Sequence, residues 1–240
     1  MMRRKSESRR LKDMRRSDNA DELELRAEIC RVGREIEKSG LALHFGVYAP
    51  GNLSARNPSS TRVLVTPSGL PKGVLRPADL VAVDLHGTKI DGRLRPSTET
   101  PTHCAIYKKR PDVNGIVHVH PPMCMAYAVT NRKLEATTIE LAAVAGGPIP
   151  VARYDTPGTE GLGRVTAEAL GSSSAVIMQN HGLIAVGPTL KNAFETALSA
   201  EYTAMVNVCG RIIGDIVELP LREAKRIRKS ILESYGQRQL

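Results

Sequence analysis

The stretch Gly115-Ile116-Val117-His118-Val119-His120 constrains this chain more than any other. It reads as a buried strand carrying histidines at positions i and i+2. Side chains alternate across a strand, so both imidazoles point from the same face and stand close together. Two neutral imidazoles on a rigid strand can supply half of a zinc site, which wants about two more ligands at roughly 2.0–2.2 Å. The alternative is a pair of histidines satisfied by backbone carbonyls. Residues elsewhere in the chain must decide between them.

The chain has 240 residues, a length that suits one medium domain with a substantial core. Its net charge of +9 is unevenly spread: residues 1–20 carry +5, leaving only +4 for the rest. Residues 1–19 hold almost nothing apolar and read as a disordered, solvated basic tail, with 20–240 as the folded domain. The tail lacks the apolar core of a secretory signal, and no run of about 18 apolar residues could span a membrane. Aromatic residues are scarce and tryptophan is absent, which argues against stacking platforms for single-stranded nucleic acid. Cys30, Cys104, Cys124 and Cys209 are widely spaced with no CxxC, and three of them fall in apolar helical stretches. They read as reduced core thiols of a cytoplasmic protein, not as metal ligands.

Along the chain, Leu25, Ile29, Val32 and Ile36 mark one stripe of a first helix over 20–39, stopped by Gly40. The segment from Tyr48 to Ser54, containing Gly51 and Asn52, reads as a glycine loop whose amides can approach a ligand. A strand at 62–66 runs into the turn Pro67-Ser68-Gly69, and a hairpin spans 80–90. Ser97 and Thr98 are natural caps for a helix over 99–110, with Glu99 favoured at its positive end and Pro101 tolerated in its first turn. After the two-histidine strand come a helix from Pro121 to Thr130, a small-residue segment over 136–147 and a strand near 149–152. A helix over 160–170 and a strand at 175–178 follow. Gln179-Asn180-His181-Gly182 then turns into a strand at 183–186. A long helix over 189–210 places Leu190, Phe194, Ala197, Leu198, Met205 and Val208 on one face, and a basic helix over 220–235 ends the chain. Hairpin-like pairs outnumber βαβ crossovers, so the expectation is an α/β fold: one mixed, mostly antiparallel sheet covered by helices in a single domain.

Of six histidines, only His118, His120 and His181 sit where strand geometry can bring them together. His86 lies in a hairpin turn, His44 precedes the glycine loop and His103 lies one turn into the helix begun by Glu99. Three histidines plus a carboxylate make a tetrahedral zinc site that opens when the carboxylate leaves.

The ordered motifs Gly51-Asn52, Thr66-Pro-Ser-Gly69, Pro96-Ser-Thr-Glu99, His118-Val-His120 and Asn180-His181-Gly-Leu resemble the class II aldolase/adducin family over residues 20–236. Within it the likeness is to the aldolases of L-fuculose 1-phosphate-like ketoses. The resemblance implies an α/β sandwich, assembled as a homotetramer with active sites between subunits. It implies one Zn²⁺ per subunit held by His118, His120 and His181, with Glu99 as a fourth ligand that leaves the metal and shuttles a proton. Gly51, Asn52, Ser68, Gly69, Ser97 and Thr98 match the phosphate- and substrate-binding loops, and such neutral donors hold a phosphate without a lysine clamp. Tyr235 matches a C-terminal tyrosine that closes over the site.

The reaction so implied is reversible cleavage of a ketose 1-phosphate to dihydroxyacetone phosphate and an aldehyde, through an enediolate stabilised by the cation. Glu99 then needs a pKa raised toward neutrality. Three positions depart from the family's aldolases: Glu140 stands for a tyrosine of the neighbouring subunit, Ala49 for a serine or threonine, and Pro157 for a phenylalanine near the aldehyde. Glu140 is an acid/base candidate or a solvated interface carboxylate. Decarboxylases of sugar-acid phosphates, dehydratases and pentulose-phosphate epimerases share the framework. The epimerases carry lysine at the place of Thr66 and aspartate at that of Glu99. An adducin-like binding module lacks the metal ligands that are present here. The implied partner is a phosphorylated sugar, with neither specific nucleic acid nor a membrane.

Overall fold

The computed structural model describes residues 21–43, 49–57 and 61–234. The basic tail, His44, Tyr48 and Tyr235 lie outside the described residues. A helix α1 (21–38) precedes β1 (Asn52–Arg56), β2 (Val63–Val65), β3 (Val81–Val83) and β4 (Lys89–Asp91). Then come α2 (Thr100–Lys109), β5 (Gly115–Val119), α3 (Pro122–Thr130), α4 (Ile139–Ala145), β6 (Val151–Ala152) and α5 (Glu160–Leu170). The chain continues through β7 (Ala175–Met178), β8 (Gly182–Gly187), α6 (Leu190–Ile213) and α7 (Leu221–Ser234).

The eight strands form one sheet in the order β4-β3-β2-β1-β5-β8-β7-β6, antiparallel throughout except for the parallel pair β6–β7. The sheet is therefore mixed and mostly antiparallel, as the sequence predicts. Alternation divides the core into two layers. Val117, Val119, Leu183 and Ala185 face a layer shared with Ile29 and Ile36 of α1, Cys124 of α3 and Ala193 and Ala197 of α6. Ile116, Ile184 and Val186 face the opposite layer, with Ile106 and Tyr107 of α2 and Leu162 and Val165 of α5. His118 has the parity of Ile116 and so points to the side where α2 and α5 pack.

Several local expectations need correction. Asn52–Ser54 is strand, not loop: β1 pairs with both β2 and β5, so polar side chains are buried in mid-sheet. Ser54 is tolerated there because it has partners: its Oγ lies 2.6 Å from His103 Nδ1 and 2.9 Å from the Tyr107 hydroxyl. The residue capping α2 is Glu99, not Ser97 or Thr98; Ser97 instead forms a turn in which its Oγ accepts from the Glu99 N–H. The segment over 136–147 contains a helix, α4, started by Thr138, whose hydroxyl accepts from the Leu141 N–H. In α6 the fully covered face runs through Ala193, Ala197, Ala200 and Ala204, and Met205 is 43% exposed. Small alanines let this long helix lie close on the sheet, which a search for large apolar residues overlooks. Cys30, Cys104 and Cys124 are buried thiols, while Cys209 on α6 is exposed. Among the described residues no helix is long and apolar enough to cross a membrane.

Candidate metal centre and active site

Central strand β5 delivers His118 buried and His120 just past its end, and the β7–β8 turn delivers His181. The pairing of β5 with β8 sets His118 opposite Ile184, which carries the turn at the start of β8 to the two-histidine end of β5. The three rings meet with centroids 4.7, 5.0 and 5.1 Å apart, and their donor atoms lie within 4.8 Å of one another. Among the described residues they are the one such group of potential metal ligands.

Hydrogen bonding fixes which nitrogen of His118 is free. His118 Nδ1–H donates to the Leu183 carbonyl at 3.0 Å, leaving the Nε2 lone pair turned toward His120, whose Nε2 is 3.0 Å away. His181 Nδ1 is buried without a partner. Burial drives His118 well below the ordinary histidine pKa, reinforced by the His120 and His181 rings. Burial also brings His120 down to about 4, and lowers His181. Three imidazoles held neutral by burial, with donor atoms within 4.8 Å of one another, are the donor set a divalent cation such as zinc takes, so the residues present fit the metal that their spacing suggests.

Two small residues make this convergence possible. A Cβ on Gly182 would stand 2.7 Å from His120 Cδ2 and 3.1 Å from His118 Cε1. Only glycine leaves room there for both rings. Gly51, at φ +81°, would drive a Cβ to 2.5 Å from the His118 carbonyl oxygen, so the turn before β1 can press against β5 only without a side chain. Next to His181, Asn180 adopts a left-handed φ of 55°, which turns the chain sharply between β7 and β8.

The histidines open onto a cavity of about 450 Å³. Gly51, Asn52, Ser68, Gly69, Ser97, Thr98 and Glu99 all line it, so the structure gathers every cavity residue expected from the first three motifs. Asn52 is 5% exposed and its Oδ1 has no partner. No lysine or arginine lines the wall among the described residues.

Among the described residues Glu99 is the single carboxylic acid in that wall. It stands outside the tight three-histidine group, with Oε2 accepting from the Thr102 hydroxyl at 3.3 Å. Burial raises its pKa, while the Thr102 hydroxyl and the Gly158 N–H pull it back down. Burial thus favours the protonated form, which makes this carboxyl the candidate proton carrier of the cavity.

Glu140 lies elsewhere. It is exposed in the first turn of α4 and does not line this cavity. Tyr235 falls outside the described residues. Sequence reasoning missed Met125, which lines the wall from α3, and Lys72, which stands behind it. It also passed over His103, wholly buried on α2 with its pKa pushed down to about 3 by desolvation. Neither Met125 nor Lys72 belongs to a motif, and only proximity in the fold identifies them.

Comparison with known proteins agrees with this geometry. The model of the family described as "Class II Aldolase and Adducin N-terminal domain" matches residues 27–208. A protein named 5-deoxy-D-ribulose 1-phosphate aldolase, from Bacillus thuringiensis serovar kurstaki, is 35% identical over 212 residues, 88% of this chain and 97% of that protein. L-fuculose phosphate aldolase of Escherichia coli K12 is 34% identical over 203 residues, 85% of this chain and 92% of that protein. A solved structure titled L-fuculose 1-phosphate aldolase superposes with a TM-score of 0.81 at 29% identity, covering 87% of this chain and 96% of that one.

Proposed function

Because the chain belongs to the class II aldolase and adducin family, we propose that it is a metal-dependent aldehyde-lyase cleaving a ketose 1-phosphate reversibly to dihydroxyacetone phosphate and an aldehyde. One observation carries the reading: three neutral imidazoles and one carboxyl group of raised pKa open onto the same polar cavity. His118, His120 and His181 would hold zinc, one ion per chain, with Glu99 as the fourth ligand at rest. When bound, the cation supplies positive charge that stabilises negative charge developing on a substrate oxygen.

The remaining work falls to the chain's own groups. The amides around Gly51 and Gly69, the Asn52 amide and the hydroxyls of Ser68, Ser97 and Thr98 bind the phosphate and so fix the position of the sugar. Cleavage between the third and fourth carbons removes the proton of the fourth-carbon hydroxyl, whose oxygen becomes the aldehyde carbonyl, and delivers a proton to the third carbon of the three-carbon fragment. Glu99 carries that proton on its carboxyl group, and takes it back in the condensation direction. Glu140, exposed on α4, serves the cavity of a neighbouring subunit in a homotetramer, and Tyr235 closes over the site. The substrate is a deoxyketose 1-phosphate of the L-fuculose 1-phosphate or 5-deoxyribulose 1-phosphate kind, as the names of the relatives suggest. The enzyme works in the cytoplasm.

A screen of phosphorylated ketoses and sugar acids, followed for dihydroxyacetone phosphate and CO₂ in parallel, tests this. The expected result is metal-dependent release of dihydroxyacetone phosphate from a deoxyketose 1-phosphate. Release of CO₂ from a sugar-acid phosphate, with no triose phosphate from any ketose, would replace the aldolase by a decarboxylase.

A further inference from the structure

Lys72 begins a single 3-10 turn, Lys72–Val74, next to α1, and is only 3% exposed. Lysine is rarely so buried, because its ammonium gives up strong hydration. Here Nζ donates to the carbonyls of Ala49 at 2.7 Å and Pro50 at 3.1 Å. Those two residues and Gly51 line the cavity, whereas Lys72 does not, so its ammonium stands behind the turn. No cis peptide occurs among the described residues. In a planar trans peptide the C=O and the following N–H point in opposite directions. Pinning the Pro50 carbonyl to Lys72 therefore aims the Gly51 N–H away from the lysine, to the cavity side of the turn.

A second observation points to the same place: among the described residues the wall itself carries no lysine or arginine. A phosphate bound there would face neutral donors only, with the nearest cation one layer behind. Burial brings Lys72 itself down to about 8, with Glu37 pulling it back up, so the group is mostly charged at neutral pH.

We propose that Lys72 is a positioning residue: from behind the Ala49–Gly51 turn it orients the Gly51 amide and supplies the positive charge for the phosphate end of the substrate. The inference rests on the phosphate reading of that end of the cavity. It gives a lysine to a subsite that the sequence motifs describe as having none, and it does so without contact between lysine and ligand.

The test is calorimetric titration of inorganic phosphate into the metal-loaded full-length chain, for wild type, Lys72→Met, Lys72→Gln and Lys72→Arg. Turnover of the sugar phosphate is measured alongside. Lys72→Met should weaken phosphate binding and raise KM about tenfold or more, the size expected for losing hydrogen bonds to a charged group. Metal content and kcat should hold. Lys72→Arg should restore most of the affinity, with Lys72→Gln falling between. If Lys72→Met does not fold, equal phosphate affinity in the Arg and Gln variants would overturn the proposal, and weaker binding by Gln would support it. Wild-type affinity in folded Lys72→Met overturns the role of Lys72 alone. Absence of phosphate binding by the wild type overturns the phosphate reading and this inference together.

Discussion

At the scale of single residues, the account turns on protons and on which atoms are free to accept them. His118 Nδ1–H is committed to the Leu183 carbonyl, so the tautomer presenting Nε2 to the cavity is set by the backbone of β8. Glu99 faces the same space with a pKa raised by burial. Glu99→Gln keeps shape and hydrogen-bonding capacity but carries no exchangeable acid proton. It should bind the metal through the three histidines and lower kcat by about 10²–10⁴-fold, the usual span for a general acid–base group. Metal analysis and steady-state turnover on the same preparation check this. Unchanged turnover would remove Glu99 from the proton path.

At the scale of elements, the decisive contact is between β5 and the β7–β8 turn. Gly182 sits where a methyl group would collide with two imidazoles at once. Gly182→Ala, whose new Cβ also meets the Val119 carbonyl oxygen at 2.8 Å, should lower metal affinity roughly 10–100-fold in protein shown by circular dichroism to be folded, as loss of ligand orientation typically does. Competition with a chromophoric chelator measures that loss, and unchanged affinity would mean that the rings do not meet on one ion. Much of this element was legible beforehand. The period of two along Ile116–His120 predicted the ring pair, and the Asn-His-Gly turn placed His181 at a strand connection. Asn52–Ser54 was not legible, because polar side chains in a glycine-rich stretch read as a loop. What makes it strand is a partner strand on each side, and Ser54 is accommodated by a buried histidine of α2, 49 residues away. The alanine face of α6 was hidden similarly: close packing of helix on sheet selects small residues, which carry little hydrophobic signal.

At the scale of the whole molecule, four histidines with depressed pKa values, His103 and His118 buried and His120 and His181 half-buried, couple the fold to pH. For His103 and His120 the folded values are about 3 and about 4, against an ordinary 6.5. The unfolded chain then binds more protons than the folded one between those limits. Their contribution to stability is fully present above about 6.5 and is lost as pH falls through the folded values. Glu99 runs the other way: its raised pKa gives a contribution present below the ordinary 4.5 and lost as pH rises through its folded value. The histidines outnumber it. Metal-free protein should therefore show a falling urea midpoint from pH 6.5 to 4, and added metal should oppose the fall while the imidazoles remain neutral. A midpoint constant over that range would contradict the burial of neutral histidines. Lys72 also belongs to this scale of reading, because its place behind the Gly51 turn depends on how α1, the 3-10 turn and β1 pack, and no spacing in the chain encodes that.

The central claim is that three imidazoles distant in sequence share one divalent cation. Calorimetric titration of Zn²⁺ into chelator-stripped protein tests it most directly, with His118→Ala as the control for binding at the exposed Cys209 and other surface groups. The account predicts one tight site per chain in the wild type and its loss in the variant. Absence of a saturable site in the wild type, or an undiminished one in His118→Ala, would contradict it.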